Sequence, residues 1–197
     1  MTDAPATPYL TDRFDNALAY ASRLHRAQTR KGGGIPYVSH LLAVAAIALE
    51  NGVDEDQAIA ALLHDAVEDQ GGLAQLEAIR GRFGDDVAAI VADCTDSHEE
   101  PKPAWHPRKE AYIASLAHKP ARSLAVSLAD KTHNASAINA DLRAVGEAVW
   151  KRFTGGKGGT LWYYRALVTA FRAYAPGIAA ERFAREVDEM EELAARN

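Results

Sequence analysis

Apolar residues return every three or four positions in successive stretches of this chain: "FDNALAYASRLH", "LLAVAAIALE", "DQAIAALLHDAVED", "LAQLEAIRGRF", "DVAAIVADC", "EAYIASLAH" and "RSLAVSLADKTHNASAI". That spacing gathers the apolar side chains of each stretch on one face of an α-helix. No segment sustains the alternation of a half-buried strand. The pattern predicts an all-α chain whose amphipathic helices bury their faces against one another. Breaks are expected where glycine and proline collect, at "KGGGIP" (31–36), "NGVD" (51–54), "QGG" (70–72) and "EEPKPAWHP" (99–107). Asp54 is placed to cap the helix after it, and Pro120 to open the one reaching "LADKTHN". A second Gly-rich loop, "TGGKGGT" (154–160), precedes the helix "LWYYRALVTAFRAY", and "RFAREVDEMEELAARN" reads as an amphipathic terminal helix. With 197 residues, no long linker and no internal repeat, one compact helical domain over 1–197 is expected. Its motif core would span about 14–140, with the helices of 141–197 packed on it.

Composition excludes several function classes. A chain 48% hydrophobic and 25% charged is ordinary for a water-soluble globular protein. The longest apolar runs, such as "LLAVAAIAL" (41–49), are too short to span a bilayer, and "MTDAPATPYLTDR" lacks the basic-then-apolar order of a signal peptide. A single cysteine, Cys94, rules out an internal disulfide framework and suits a cytoplasmic setting. The net charge of −5 argues against an extended nucleic-acid footprint but leaves room for a local basic pocket that takes a phosphorylated small molecule.

One stretch is costly unless it has a counterpart. "ALLHDAVEDQ" sets His64, Asp65, Glu68 and Asp69 at the end of an otherwise apolar helix expected over 55–69. In a continuous helix His64 and Glu68 share one stripe, and Asp65 and Asp69 the next. Carboxylates near a helix C-terminus carry the wrong sign for the macrodipole. A divalent cation is the obvious counterpart. Further ligands would come from other helices, and two polar residues on apolar faces qualify: His40, at the head of "LLAVAAIALE", and Asp130, in "LAVSLADKTHN". Taken alone, such a histidine is more often a hydrogen-bonded core residue, and such an aspartate more often a cap or buried ion-pair partner.

The order His, His-Asp, distant Asp resembles the ligand order of the HD superfamily of metal-dependent phosphohydrolases. The stretches "HRAQTRKGGGIPYVSH", "AALLHDAVEDQ", "FGDDVAAIVADCTD", "RKEAYI" and "LADKTHN" are more closely similar to the hydrolase domain of the RelA/SpoT family, enzymes of the alarmones ppGpp and pppGpp. The resemblance implies an HD-domain helical bundle holding one divalent ion, usually Mn²⁺, on His40, His64, Asp65 and Asp130. It implies that Glu68 and Asp69 help to activate the attacking water. It further implies that Asn134 lines the pocket, that Arg30 and Lys31 lie in the loop against which base and phosphates pack, and that Arg108 reaches a phosphate. His133 is expected to support the ligands from behind, and the other histidines, His98 among them, to lie at the surface or behind the ligands.

Two departures from the family pattern stand out, of which the first bears on substrate choice and the second on helix entry only. The family loop between the basic pair and "PY" usually holds three residues, and here "GGGI" holds four; Leu41 replaces the usual proline after the first ligand. The length left after Asn134 is too short for an alarmone-synthetase domain. The expected activity is therefore that of a small alarmone hydrolase, releasing pyrophosphate from the 3′-diphosphate and leaving GDP or GTP. Two alternatives stay open: an HD phosphohydrolase acting on another nucleotide or phosphomonoester, and a non-catalytic module that binds alarmone. The resemblance also implies a possible partner, a cognate alarmone-producing toxin whose product the chain would destroy.

Overall fold

The computed structural model describes residues 9–96 and 103–196; His98 lies outside them. Among the described residues ten α-helices follow in order: α1 (Asp12–Leu24), α2 (Val38–Glu50), α3 (Glu55–Leu63), α4 (Ala66–Gln70), α5 (Gly72–Phe83), α6 (Asp85–Cys94), α7 (Trp105–Ser115), α8 (Ala121–Val145), α9 (Gly156–Tyr174) and α10 (Ile178–Arg196). Short 3₁₀ turns cover Leu116–His118 and Gly146–Arg152. Among the described residues the only extended pairing is one antiparallel bridge, Thr29 to Pro36. The all-α expectation holds.

Local chemistry sets the boundaries. Asp54 accepts from the backbone N–H of Gln57 while the Gln57 side chain accepts from the Asp54 N–H, a reciprocal cap that starts α3. Pro120 stands at the N-cap of α8. Two expectations need correction. The helix over 55–69 is not continuous: it is interrupted at His64 and Asp65, which form the turn between α3 and α4. Both turn residues keep right-handed helical dihedrals, so the apolar spacing runs through the break unmarked. Nor is 154–160 a loop throughout, because α9 begins at Gly156. Its glycines make room for an indole: a Cβ on Gly155 would lie 2.6 Å from Trp105 Cη2, and one on Gly159 would lie 3.1 Å from it.

The core has two apolar clusters that share α8. The first gathers Leu41, Val44, Ile59, Leu62, Ile79 and Val91 with Val126 and Ala129 of α8. The second gathers Leu128, Leu142, Leu167, Phe171, Phe183 and Met190. Phe171 and Phe183 are fully buried and meet edge to face at 5.6 Å. Burial of each contributes roughly 1.5–3 kcal/mol. Asp130 sits on α8 where the two clusters adjoin. A buried carboxylate is thereby held on the element that both clusters fix.

Candidate metal centre

α2, the turn between α3 and α4, and α8 each bring polar side chains to one point. His40 stands in the first turn of α2, His64 and Asp65 form the turn itself, and Asp130 projects from α8. His40 Nε2 is 3.2 Å from His64 Nε2, 3.2 Å from Asp130 Oδ1 and 3.3 Å from Asp65 Oδ2. His64 Nε2 is 3.0 Å from Asp65 Oδ2 and 3.5 Å from Asp130 Oδ1. Two ligand atoms at right angles, each about 2.1 Å from an ion, lie about 3 Å apart, so this spacing fits a divalent cation.

Both imidazoles are anchored through Nδ1 and turn Nε2 inward. His64 Nδ1 lies 2.8 Å from the Ala61 carbonyl, which can only accept, so Nδ1 carries a proton and Nε2 is the nitrogen turned inward. His40 Nδ1 faces His133 Nδ1 at 2.8 Å. Burial, followed by the charges of His40 and Arg30, lowers the His133 pKa to about 4. His133 is therefore neutral, and its contact with His40 Nδ1 leaves His40 Nε2 facing the centre.

Charge in the cluster points the same way. Burial alone would push Asp65 and Asp130 toward the neutral acid. The imidazoles outweigh burial at Asp65, and Lys131 with the imidazoles outweighs it at Asp130, so both pKa values fall well below the usual carboxylate range. At His64, burial is outweighed by Asp65 and Asp130, which hold its pKa well above the ordinary value. The cluster demands positive charge. A divalent ion satisfies that demand more fully than a proton and displaces it on binding.

Supporting contacts fix the donors. Tyr37 donates to Asp65 Oδ2 at 2.6 Å; burial, then the Asp65 charge, raises its pKa, so it stays a donor. Lys131 Nζ donates to Asp130 Oδ2 at 2.7 Å, and Asn134 Nδ2 to Asp130 Oδ1 at 2.6 Å. Sequence reasoning passed over Tyr37 and Lys131, although Tyr37 stands three residues before His40 and Lys131 directly follows Asp130.

The acidic pair lies on α4. Asp69 Oδ2 accepts from Gln28 Nε2 at 2.8 Å, and Gln28 Oε1 accepts from His25 Nδ1 at 2.6 Å and Gln70 Nε2 at 2.7 Å. Burial raises the Asp69 pKa; the Gln28 bond opposes this and the charges of Asp65 and Glu68 reinforce it, which makes Asp69 a better proton acceptor. Glu68 is half-buried on the same helix. Of the expected substrate residues, Arg30 Nη2 donates to Asn134 Oδ1 at 3.0 Å, and Lys31 is exposed one residue on. Arg108 is instead ion-paired with Asp96, which Lys109 Nζ also reaches at 2.7 Å. Lys157 pairs with Glu147, and Arg165 with Asp188 and Glu191.

An HD domain model matches residues 17–160, most of the chain. The chain belongs to the HD domain family. It is 36% identical over 129 residues to the guanosine-3′,5′-bis(diphosphate) 3′-pyrophosphohydrolase MESH1 of Drosophila melanogaster, covering 64% of this chain and 69% of that protein. Over 124 residues it is 38% identical to a GTP pyrophosphokinase of Streptomyces coelicolor. There the match takes in 62% of this HD-domain chain and only 14% of the longer protein. A solved metazoan ortholog of SpoT, described as hydrolysing ppGpp, superposes with a TM-score of 0.75 at 27% identity, covering 95% of this chain and 99% of that one. The Listeria monocytogenes protein lmo0812 superposes at 0.67 with 28% identity, covering 79% and 99%. His40, His64 and Asp65 can hold the divalent metal that an HD domain implies.

Proposed function

We propose that this chain hydrolyses the 3′-diphosphate of ppGpp or pppGpp to GDP or GTP and pyrophosphate, with Mn²⁺ as the bound ion. One observation carries the reading: two inward-facing imidazole nitrogens and two ionised carboxylates converge beside an acidic pair whose Asp69 is the better base for its raised pKa. Similarity to MESH1, named for this reaction, supplies the substrate class.

His40 and His64 would offer Nε2, Asp65 Oδ2 and Asp130 Oδ1 to the ion. A mixed imidazole and carboxylate set suits Mn²⁺. Such an ion, when bound, would supply Lewis-acid polarisation of a phosphoryl oxygen and a lowered water pKa. Glu68 and Asp69 would orient the attacking water and take its proton, and Gln28 holds the Asp69 carboxylate for the task. Arg30, Lys31 and Asn134 receive the nucleoside, and Arg108, once drawn from Asp96, meets phosphate charge. No helix among the described residues is long and apolar enough to cross a membrane, and a cytoplasmic site of action completes the reading. A cognate alarmone-producing toxin would be its natural counterpart.

A second reading, a different nucleotide, draws on the four-residue "GGGI" loop beside Arg30 and Lys31. Product chromatography on ppGpp, pppGpp, dNTPs and phosphomonoesters separates the two. Pyrophosphate from ppGpp, with nucleoside 5′-monophosphates nearly untouched, is expected; preference for a dNTP or a monoester would replace the alarmone reading.

A further inference from the structure

α8 is a ruler along which the site is laid out. Asp130, Asn134 and Asp141 are spaced by four and seven residues and so share one face. Asn134 holds Arg30 at 3.0 Å, and Asp141 Oδ2 holds Arg152 Nη1 at 2.7 Å. Arg152 closes the 3₁₀ turn Gly146–Arg152 and lies across the loop that follows Arg30. A Cβ on Gly32 would come within 2.2 Å of Arg152 Nε and 2.6 Å of its Cζ. Gly32 also holds φ at +84°, a backbone conformation that favours glycine there. The Gly-rich loop is thus pressed beneath a guanidinium.

This contact places a third cation beside Arg30 and Lys31. Among the described residues Arg152 has Asp141 as its hydrogen-bond partner, through Nη1 alone, and its side chain is 21% exposed. A planar guanidinium can keep a carboxylate on one edge and offer the other to a phosphate. Direction matters too. Asp141 lies about 16 Å of helix rise beyond Asp130, and the Arg152 side chain returns from there to Gly32, two residues from Arg30. A nucleotide with its 3′-diphosphate at Asp130 and its nucleoside at Arg30 and Asn134 would have room to extend its 5′ end toward Arg152.

We propose that Arg152 binds the 5′-phosphate end of the nucleotide and gives this enzyme its preference for 5′-phosphorylated substrates. The inference rests on the alarmone-hydrolase reading. Its test compares kcat/KM for ppGpp with that for guanosine 3′-diphosphate, which lacks 5′-phosphates, in the wild type, Arg152→Ala and Arg152→Gln. Gln keeps a polar side chain over Gly32 and removes the charge. Loss of a charged phosphate contact should lower kcat/KM for ppGpp by roughly tenfold or more, mainly through KM, in both variants. The 5′-unphosphorylated substrate should lose much less. Equal losses on both substrates would overturn the proposal and make Arg152 only a brace for the loop. If the wild type cleaves neither compound, the alarmone reading fails. Calorimetry of GDP against guanosine then decides Arg152 separately: tighter GDP binding that vanishes in both variants supports the contact, and an unchanged ratio refutes it.

Discussion

Asp130 presents Oδ1 to two imidazoles while Lys131 grips Oδ2, so its position and its charge are set by different neighbours. Asp130→Asn retains the shape and loses the charge. Metal content by elemental analysis should fall at least about tenfold, since even residues that only support ligands change affinity on that scale. Undiminished occupancy would remove Asp130 from the ligand set. Glu68 and Asp69 should behave in the opposite way. Replacing them with Gln and Asn should reduce turnover by roughly 10²- to 10⁴-fold, with metal content and helical circular dichroism unchanged. At this scale the sequence was informative where ionisable groups interrupt apolar runs, as His40, His64, Asp65 and Asp130 do. It was silent on Tyr37, Gln28 and Lys131, whose side chains are unremarkable in a sequence and gain a role only by touching Asp65, Asp69 and Asp130.

Among the elements, α3 is the one whose placement the site most depends on, because the ligand turn follows its last residue. Its cap, Asp54, is also bound by Arg122 Nη2 at 2.9 Å. Asp54→Ala should lower stability by about 1–2 kcal/mol in denaturant melts. Burial works against ionisation of Asp54, but the Gln57 backbone bond and Arg122 prevail and depress its pKa. A depressed carboxylate contributes stability above its unfolded pKa and loses it as the pH falls through the folded one. The mutant and wild type should therefore converge in acid, below the usual carboxylate range, and differ most near neutrality. Periodicity located α2, α3 and α6 because a packed face leaves its spacing in the chain. It missed the break at His64 and Asp65, where the backbone stays helical in its dihedrals and Ala66 and Val67 continue the apolar pattern. It also misplaced the start of α9. Glycine's poor helix propensity argued for a loop, but the fit of Trp105 against Gly155 and Gly159 overrides propensity. Gly155→Ala should displace that indole and shift tryptophan fluorescence while leaving metal binding in place.

At the scale of the whole molecule, two apolar clusters meet on α8, and the donors come from three places: α2, the turn between α3 and α4, and α8. An ion bound there ties the first cluster to the helix shared with the second. Metal at a hundredfold excess over its Kd should stabilise the native state by about 2.7 kcal/mol, so stripping it with a chelator should lower Tm and re-addition restore it. That linkage tests the centre as a binding site; the reaction requires its own measurement. The most direct is phosphorus NMR of ppGpp with metal-stripped protein, before and after Mn²⁺ is returned. No change is expected before, and afterwards the loss of the 3′-diphosphate resonances with stoichiometric pyrophosphate and GDP. Release of inorganic phosphate, cleavage at the 5′-diphosphate, or intact ppGpp in the Mn²⁺-loaded protein would contradict it.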